Sequence, residues 1–250
     1  MAETPTLVAV AHGSRDPRSA RTVAELVDLV RFVRPDLDVR TSFLDLSTPR
    51  LTKVLAATHA DGQRTAVVVP LLLGRAYHAR VDIPGVIARF ARHRPGLDVR
   101  AADVLGPDAR LEAVALDRLR AVGADPADRR IGVLLAGTGA SGPSANAAVH
   151  TLARRWSRRT SWAGVVAGFA TAEPDVPAAI ARLRIRGARR IAVGMWFLAP
   201  GLLPDRVSRQ VRSLAPDGLI AEPLGPDERL AELVLDRYAE AVSAALPAAS

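Results

Sequence analysis

The chain has 250 residues, of which 49% are hydrophobic, 24% are charged and 4% are aromatic, and it carries a formal charge of +8 without any cysteine. This composition excludes a disordered or collagen-like chain, and the lack of cysteine excludes disulfides, thiolate metal sites and a thiol nucleophile. No signal-peptide pattern opens the sequence, and its longest apolar runs, such as residues 67–73, fall far short of the roughly 20 residues of a membrane span. We therefore expect a cytoplasmic globular protein with no membrane partner.

The basic excess consists almost entirely of arginine, because Lys53 is the only lysine. A nucleic-acid-binding surface is one interpretation of such an excess. However, no block of six like charges occurs, and aromatic side chains are too few to stack with bases. The excess is concentrated in residues 51–100 and 151–200, which an anionic small molecule explains equally well. We predict no nucleic-acid partner.

The first half of the chain alternates predicted strands and helices. Residues 19–32 place apolar side chains on one helical face, and Pro49 and Pro84 occupy positions typical of a helix's first turn. Asp82 is expected to cap the helix that begins near Pro84. Continuous apolar or β-branched runs predict strands covered on both faces at residues 7–11, 39–43, 66–72 and 97–101.

The second half repeats this pattern. Leu105–Leu111 recurs as Leu224–Leu230, and further upstream an offset of 125 residues aligns Pro49 with Pro174. Strands are predicted at residues 131–135, 164–169, 191–197 and 219–221. The sequence therefore predicts an α/β fold of two similar small domains, residues 1–125 and 126–250, each a four-stranded parallel sheet with helices on both faces.

Three potential metal ligands follow successive strands of the first repeat. His12 follows the first predicted strand, Asp45 the second and His78 the third. Ligands of parallel α/β sheets bind beyond the carboxyl ends of the strands, so these side chains are expected at one edge. Two imidazoles and a carboxylate suit a divalent ion such as Fe²⁺, Co²⁺, Ni²⁺ or Zn²⁺, and three ligands leave coordination positions open.

The second repeat lacks both imidazoles, because the same offset aligns His12 with Gly137 and His78 with Leu203. Metal chemistry is therefore expected in the N-terminal repeat alone. Gly13 and the glycines of residues 137–139 are each compatible with a phosphate cradle, although neither matches a glycine-rich fingerprint. Trp196 and its neighbours end the third strand of this repeat, and they fit either a core or an apolar wall facing a ligand.

Two segments of the first repeat carry a family resemblance. The first is Ala11-His12-Gly13-Ser14 and the second is Tyr77-His78-Ala79-Arg80-Val81-Asp82-Ile83-Pro84, preceded by Pro70-Leu71-Leu72-Leu73. With them the chain resembles the sirohydrochlorin chelatases of the CbiX/SirB type, within the class II chelatases, in a two-repeat form. A histidine followed at this distance by Asp-Ile-Pro is a hallmark of that family.

The resemblance implies a lyase that inserts Fe²⁺ or Co²⁺ into sirohydrochlorin in siroheme or cobalamin biosynthesis. The family's two metal-binding histidines fall on His12 and His78, which would hold the metal and accept the pyrrole protons. Some members add a glutamate where Asp45 stands, one methylene shorter, as a third ligand or a compensating charge.

The implied substrate carries many carboxylates. Guanidinium groups pair well with planar anions, which makes the flanking basic side chains candidates for its recognition. The predicted substrate-binding residues are Ser14, Arg15, Arg75 and Arg80. No organic cofactor is implied, since the divalent metal is a co-substrate.

The duplication supplies two halves in one chain, so we expect a pseudo-twofold monomer. Two alternatives remain at this point. One is a non-catalytic carrier of metal or tetrapyrrole that uses the same ligands, and the other is a phosphate- or nucleotide-binding module.

Overall fold

The computed structural model describes residues 4–74, 81–140 and 143–244, within which strands and helices alternate strictly. All eight predicted strands are present, and their ends lie within two residues of the predicted ones. The elements, in chain order, are β1 Thr6–Ala11, α1 Pro17–Val33, β2 Val39–Phe43, α2 Leu51–Ala60, β3 Thr65–Pro70, α3 Ile83–His93, β4 Asp98–Ala101, α4 Ala109–Ala121, β5 Ile131–Gly137, α5 Pro143–Arg159, β6 Gly164–Phe169, α6 Val176–Ile185, β7 Arg190–Met195, α7 Leu202–Leu214, β8 Leu219–Ile220 and α8 Glu228–Ser243.

The strands form two four-stranded sheets, and every neighbouring pair is parallel, which confirms the predicted fold class. The strand order is β2-β1-β3-β4 in the first sheet and β6-β5-β7-β8 in the second. From β1 the chain passes first to one side and then to the other, so the order reverses between β1 and β3. In open parallel sheets, ligands bind at such a switch point.

Helices cover both faces of the first sheet. Val8, Val10 and Val68 pack on one face against Leu55 of α2 and Phe90 of α3. On the other face α1 packs against α8, and α8 reaches β3. All six residues of β1 are consequently buried, which explains why this strand is a continuous apolar run rather than an alternating one.

The chain packs into two compact units that differ from the sequence repeats. The first unit extends to Arg110 and takes in the chain from Pro226, whereas the second comprises Leu111–Gly225. Helix α8 therefore belongs to the first unit, where the Tyr238 hydroxyl donates to the Pro5 carbonyl at 2.6 Å. Helix α4 belongs to the second unit, where Glu112 pairs with Arg155. The division at residues 125 and 126 stays a prediction about the repeats.

Two local predictions at helix starts were wrong. Pro49 precedes α2 instead of lying in its first turn, because its carbonyl accepts a hydrogen bond from Phe43 N at 2.9 Å and keeps the chain extended there. Asp82 occupies the N-cap position of α3, but its side chain accepts no capping hydrogen bond, because its backbone is already helical. Pro84 lies in the first turn of α3, as predicted. None of the helices among the described residues is both long and apolar enough to cross a membrane.

Candidate metal centre

The carboxyl ends of β1 and β2 bring two of the predicted ligands together. Beyond the paired strands, Asp45 N donates to the His12 carbonyl at 2.9 Å. Beside them, Leu71 N donates to the Val10 carbonyl at 2.8 Å, so the chain leaves β3 at the same edge, next to β1. His12 thus lies at the switch point, between Asp45 on one side and the segment that follows β3 on the other.

Gly13 permits this close approach. Its φ of +94° lies in the left-handed region, and a Cβ at this position would stand 1.7 Å from the carbonyl oxygen of Asp45. No side chain fits such a space, and L residues rarely adopt this backbone conformation. The glycine after His12 is therefore a geometric requirement of the His12–Asp45 contact.

Ser14 holds the turn that follows. Its backbone N–H donates to Ser47 Oγ, and Ser47 Oγ donates to the Ser14 carbonyl, both at 3.0 Å. Its own Oγ accepts a hydrogen bond from Asp16 N at the start of α1. The hydroxyl that was predicted to bind substrate thus already has a role in positioning the loop. Arg15, the next residue, is exposed.

Asp45 is an ionised carboxylate beside His12. Its Oδ1 accepts hydrogen bonds from Arg50 Nη1 and from Leu46 N. The Arg50 hydrogen bond, the Leu46 N–H and the nearby charges of Arg50 and His12 hold the pKa of Asp45 below its usual value. Leu46 adopts a φ of +61°, and strained non-glycine residues of this kind cluster at functional sites.

Sequence reasoning missed Arg50, which clamps the end of β2. Its Nη1 donates to the Leu44 carbonyl at 2.9 Å as well as to Asp45. It also occupies the N-cap position of α2, where its side chain makes no capping hydrogen bond. Arginine is a poor residue for that position, and Asp175 stands at the corresponding place before α6. This difference between the two repeats, an arginine in one and an aspartate in the other, was visible in the sequence.

Three of the predicted site residues, Arg75, His78 and Arg80, lie outside the described residues. The structure locates only the connection between β3 and α3 that carries them. Within residues 4–74, 81–140 and 143–244, no group of three or more His, Asp or Glu side chains is arranged to hold a metal ion. His12 and Asp45 are therefore the placed part of the predicted ligand set.

The second sheet shows that the predicted alignment of His12 was off by one residue. Thr171 N donates to the Thr138 carbonyl at 2.9 Å, just as Asp45 N donates to that of His12. The structural counterpart of His12 is therefore Thr138 rather than Gly137, because backbone hydrogen bonds define the register. Threonines replace both candidate ligands at this edge.

The segments that follow the third strand of each repeat differ in length. The connection from β3 to α3 spans residues 71–82, whereas the connection from β7 to α7 spans only residues 196–201. Six more residues therefore separate β3 from α3 than separate β7 from α7. Leu203 lies inside α7, whereas His78 lies outside the described residues, so their pairing stays a prediction.

Other candidates in the second repeat have structural explanations. A Cβ on Gly139 would lie 2.7 Å from that of Phe169, so close packing by itself explains this glycine. Trp196 and Phe197 are each only 8% exposed, which places them in the core instead of a ligand-facing wall. His150 packs edge-on against Phe169, and burial lowers its pKa.

Comparisons with known proteins agree on one family. A sirohydrochlorin ferrochelatase of Priestia megaterium is 25% identical over 232 residues, which cover 90% of this chain and 86% of the relative. A sirohydrochlorin cobaltochelatase of the same organism is 25% identical over 211 residues, which cover 81% and 67%. Among solved structures, SirB from Bacillus subtilis with Fe³⁺ shares the fold, with a TM-score of 0.78 and 22% identity over 97% of both chains.

The sequence profile of the CbiX family matches the chain twice, at residues 6–122 and at residues 132–241. These two matches span nearly all of the chain, and they confirm both the resemblance and the internal duplication. The chain belongs to the CbiX family.

Proposed function

We propose that the protein is a sirohydrochlorin chelatase, a lyase that inserts Fe²⁺ or Co²⁺ into sirohydrochlorin. The observation that carries this proposal is the juxtaposition of His12 and Asp45 at the switch point of the first sheet. The names of the relatives support the reaction and its substrate. His78 follows β3 in the same repeat as His12 and lies outside the described residues.

In this proposal, His12 and His78 bind the incoming ion through neutral imidazole nitrogens. When a divalent ion enters the macrocycle, two pyrrole N–H bonds break and two protons leave. An imidazole that has passed its metal to the macrocycle is free to accept one of these protons, and its ordinary pKa near 6.5 suits that step at neutral pH.

In this proposal, Asp45 contributes negative charge where the metal ion approaches His12. Arg50 and the Leu46 N–H keep its carboxylate ionised, so it attracts the cation before the histidines bind it, or completes their ligand set. Ser14, Arg15, Arg75 and Arg80 would contact the carboxylates of the macrocycle, because guanidinium groups pair with planar anions.

The physiological metal is proposed only as Fe²⁺ or Co²⁺. The ferrochelatase and the cobaltochelatase of Priestia megaterium are both 25% identical to this chain, so similarity gives no preference. The two ions also have similar ligand preferences. No organic cofactor enters the reaction.

Anaerobic incubation with sirohydrochlorin and either ion tests the proposal, with the absorption spectrum recording insertion. We expect a rate above the enzyme-free background that falls at least tenfold in His12→Ala and in His78→Ala. His93→Ala is the matched control, because His93 is exposed at the end of α3 and should leave the rate unchanged. Tight binding of sirohydrochlorin without insertion would refute a chelatase and indicate a carrier.

The assembly is proposed to be a cytoplasmic, pseudo-twofold monomer that binds neither nucleic acid nor membranes. Its two CbiX repeats lie in a single chain of 26.5 kDa. Native mass spectrometry should give that mass, and a species of twice the mass at low concentration would contradict the monomer.

A further inference from the structure

A cavity of about 270 Å³ lies between α2 and α3 of the first unit. Its lining combines an apolar surface with two guanidinium groups and one hydroxyl. The lining residues are Leu44, Arg50, Leu51, Thr52, Val86 and Arg89. Binding sites for whole small molecules typically measure about 300–1,000 Å³, so this cavity suits one part of a larger ligand.

Two guanidinium groups line this cavity, and among the described residues only Arg50 of the two has an acidic partner, Asp45. Helix α2 has no acidic residue in its first turn, and Arg50 adds a cation where the helix dipole is already positive. Arg89 is exposed, and no acidic side chain of the described residues pairs with it. The charge of Arg89 is therefore left for an incoming anion to offset.

Arg50 retains donors for such an anion. Both of its hydrogen bonds, to the Leu44 carbonyl and to Asp45, come from Nη1. Its Nε and Nη2 make no hydrogen bond with any described residue. A guanidinium can therefore hold Asp45 with one edge while it receives a second carboxylate with another.

The lining selects an alkyl carboxylate rather than a bare inorganic anion. Leu44, Leu51 and Val86 offer apolar contacts to methylene groups, and Arg50, Arg89 and the Thr52 hydroxyl offer hydrogen bonds to the oxygens. The cavity is also contiguous with the candidate metal centre. Arg50 lines it and binds Asp45, whose backbone N–H binds the His12 carbonyl.

We infer that this cavity binds one carboxyalkyl side chain of the tetrapyrrole, with Arg50 and Arg89 pairing with its carboxylate. The inference rests on the proposed function, because that function supplies a macrocycle bearing acetate and propionate groups. It adds a specificity-determining subsite beyond the predicted arginines, connected to Asp45 through Arg50.

The test is equilibrium binding of metal-free sirohydrochlorin, followed by its fluorescence, together with steady-state insertion kinetics. Arg89→Ala should raise both the dissociation constant and KM about tenfold while kcat changes less than twofold, because the lost contact acts equally in the ground and transition states. Arg89→Lys should recover part of the loss. Arg92→Ala is the matched control on the same helix, because Arg92 is exposed and does not line the cavity.

The outcomes separate the subsite from the proposed function. Insertion by the unaltered protein combined with unchanged affinity in Arg89→Ala overturns the subsite alone. Weakened binding in Arg89→Ala, in a protein that binds sirohydrochlorin but inserts no metal, supports the subsite and refutes the chelatase. Equal losses in Arg89→Ala and Arg92→Ala would show a general effect of charge and overturn the subsite.

Discussion

Replacing Gly13 with alanine tests the geometry on which the candidate metal centre depends. The new Cβ would lie 1.7 Å from the Asp45 carbonyl oxygen, 2.9 Å from its carbonyl carbon and 3.2 Å from Ser47 N. All three atoms belong to the backbone, so no side-chain rotation relieves the clash. The turn after His12 must move by more than 1 Å, which breaks the hydrogen bond from Asp45 N to the His12 carbonyl.

The expected loss of stability has two parts. Left-handed φ costs an alanine about 1–2 kcal/mol, and a lost backbone hydrogen bond costs about 1 kcal/mol. A total of about 2–3 kcal/mol corresponds to a Tm lower by about 4–12 °C in a chain of this size. Insertion activity should fall at least tenfold, because His12 and Asp45 separate.

Gly62→Ala is the matched control. Gly62 has a nearly identical φ of +90°, but nothing lies within 4 Å of its Cβ position. It should show only the cost of the backbone conformation, with activity retained. Thermal unfolding and the insertion assay on both variants separate the clash from the strain. If Gly13→Ala matches Gly62→Ala in Tm and activity, the close contact between His12 and Asp45 does not exist in solution.

Substitutions at three further residues test helix α6 of the second unit, the surroundings of the site and the packing of the first unit. Asp175→Ala should lower Tm by about 2–4 °C, because Asp175 Oδ1 caps α6 through Ala178 N, a contact of about 1 kcal/mol. Arg50→Asn supplies a side-chain cap to α2, so it should keep or raise Tm while it weakens sirohydrochlorin binding. A Tm loss as large as that of Asp175→Ala would instead show that Arg50 mainly supports the fold. Arg50→Asn should also raise the pKa of Asp45 toward its usual 3.8, since the Arg50 hydrogen bond is the largest cause of the depression. A carboxyl group whose pKa is lower in the folded state stabilises the fold above its unfolded-state pKa, and this stabilisation is lost as pH falls through the folded-state pKa. NMR titration of the Asp45 carboxyl carbon should therefore find its transition below pH 3.8 in the unaltered protein. An identical transition in Arg50→Asn would contradict the ion pair. Tyr238→Phe removes the hydrogen bond to the Pro5 carbonyl and should lower Tm by about 1–4 °C without changing activity, whereas an unchanged Tm would count against the packing of α8 in the first unit.

The strands and the partners of His12 could be predicted because they depend on local pattern and on a general rule of topology. The run Leu7–Ala11 is apolar throughout, and a continuous apolar run of this length is typical of a strand covered on both faces. Parallel strands connected by helices align their carboxyl ends, which brings His12 and Asp45 to one edge whatever their separation in sequence.

The starts of two helices could not be predicted from residue preferences. Proline favours the first turn, yet Pro49 lies before α2 because its carbonyl continues the ladder beyond β2. Asp82 has a capping side chain, yet its backbone is helical and the side chain does not cap. In both cases a neighbouring strand or loop decides a conformation that local preference leaves open.

The structure was also needed to show the role of Arg50 and to assign α4 and α8, the last helix of each repeat, to a packing unit. Arg50 violates a capping preference that Asp175 obeys, and only the positions of Asp45 and the cavity show what it does instead. The repeats place α4 in the first half of the sequence, but the amphipathic pattern of a helix indicates which side chains are buried and not which sheet buries them. Packing assigns α8 to the first unit and α4 to the second.

By itself, then, the sequence determined the two parallel sheets, the duplication, the family and the edge at which His12 and Asp45 meet, because periodicity and strand topology are local or general properties. Only the tertiary structure decided that Thr138 is the counterpart of His12, that Gly13 must lack a side chain and that Arg50 joins Asp45 to a cationic cavity. These facts depend on which backbone atoms approach within hydrogen-bonding distance, and residues far apart in a chain meet only after it has folded.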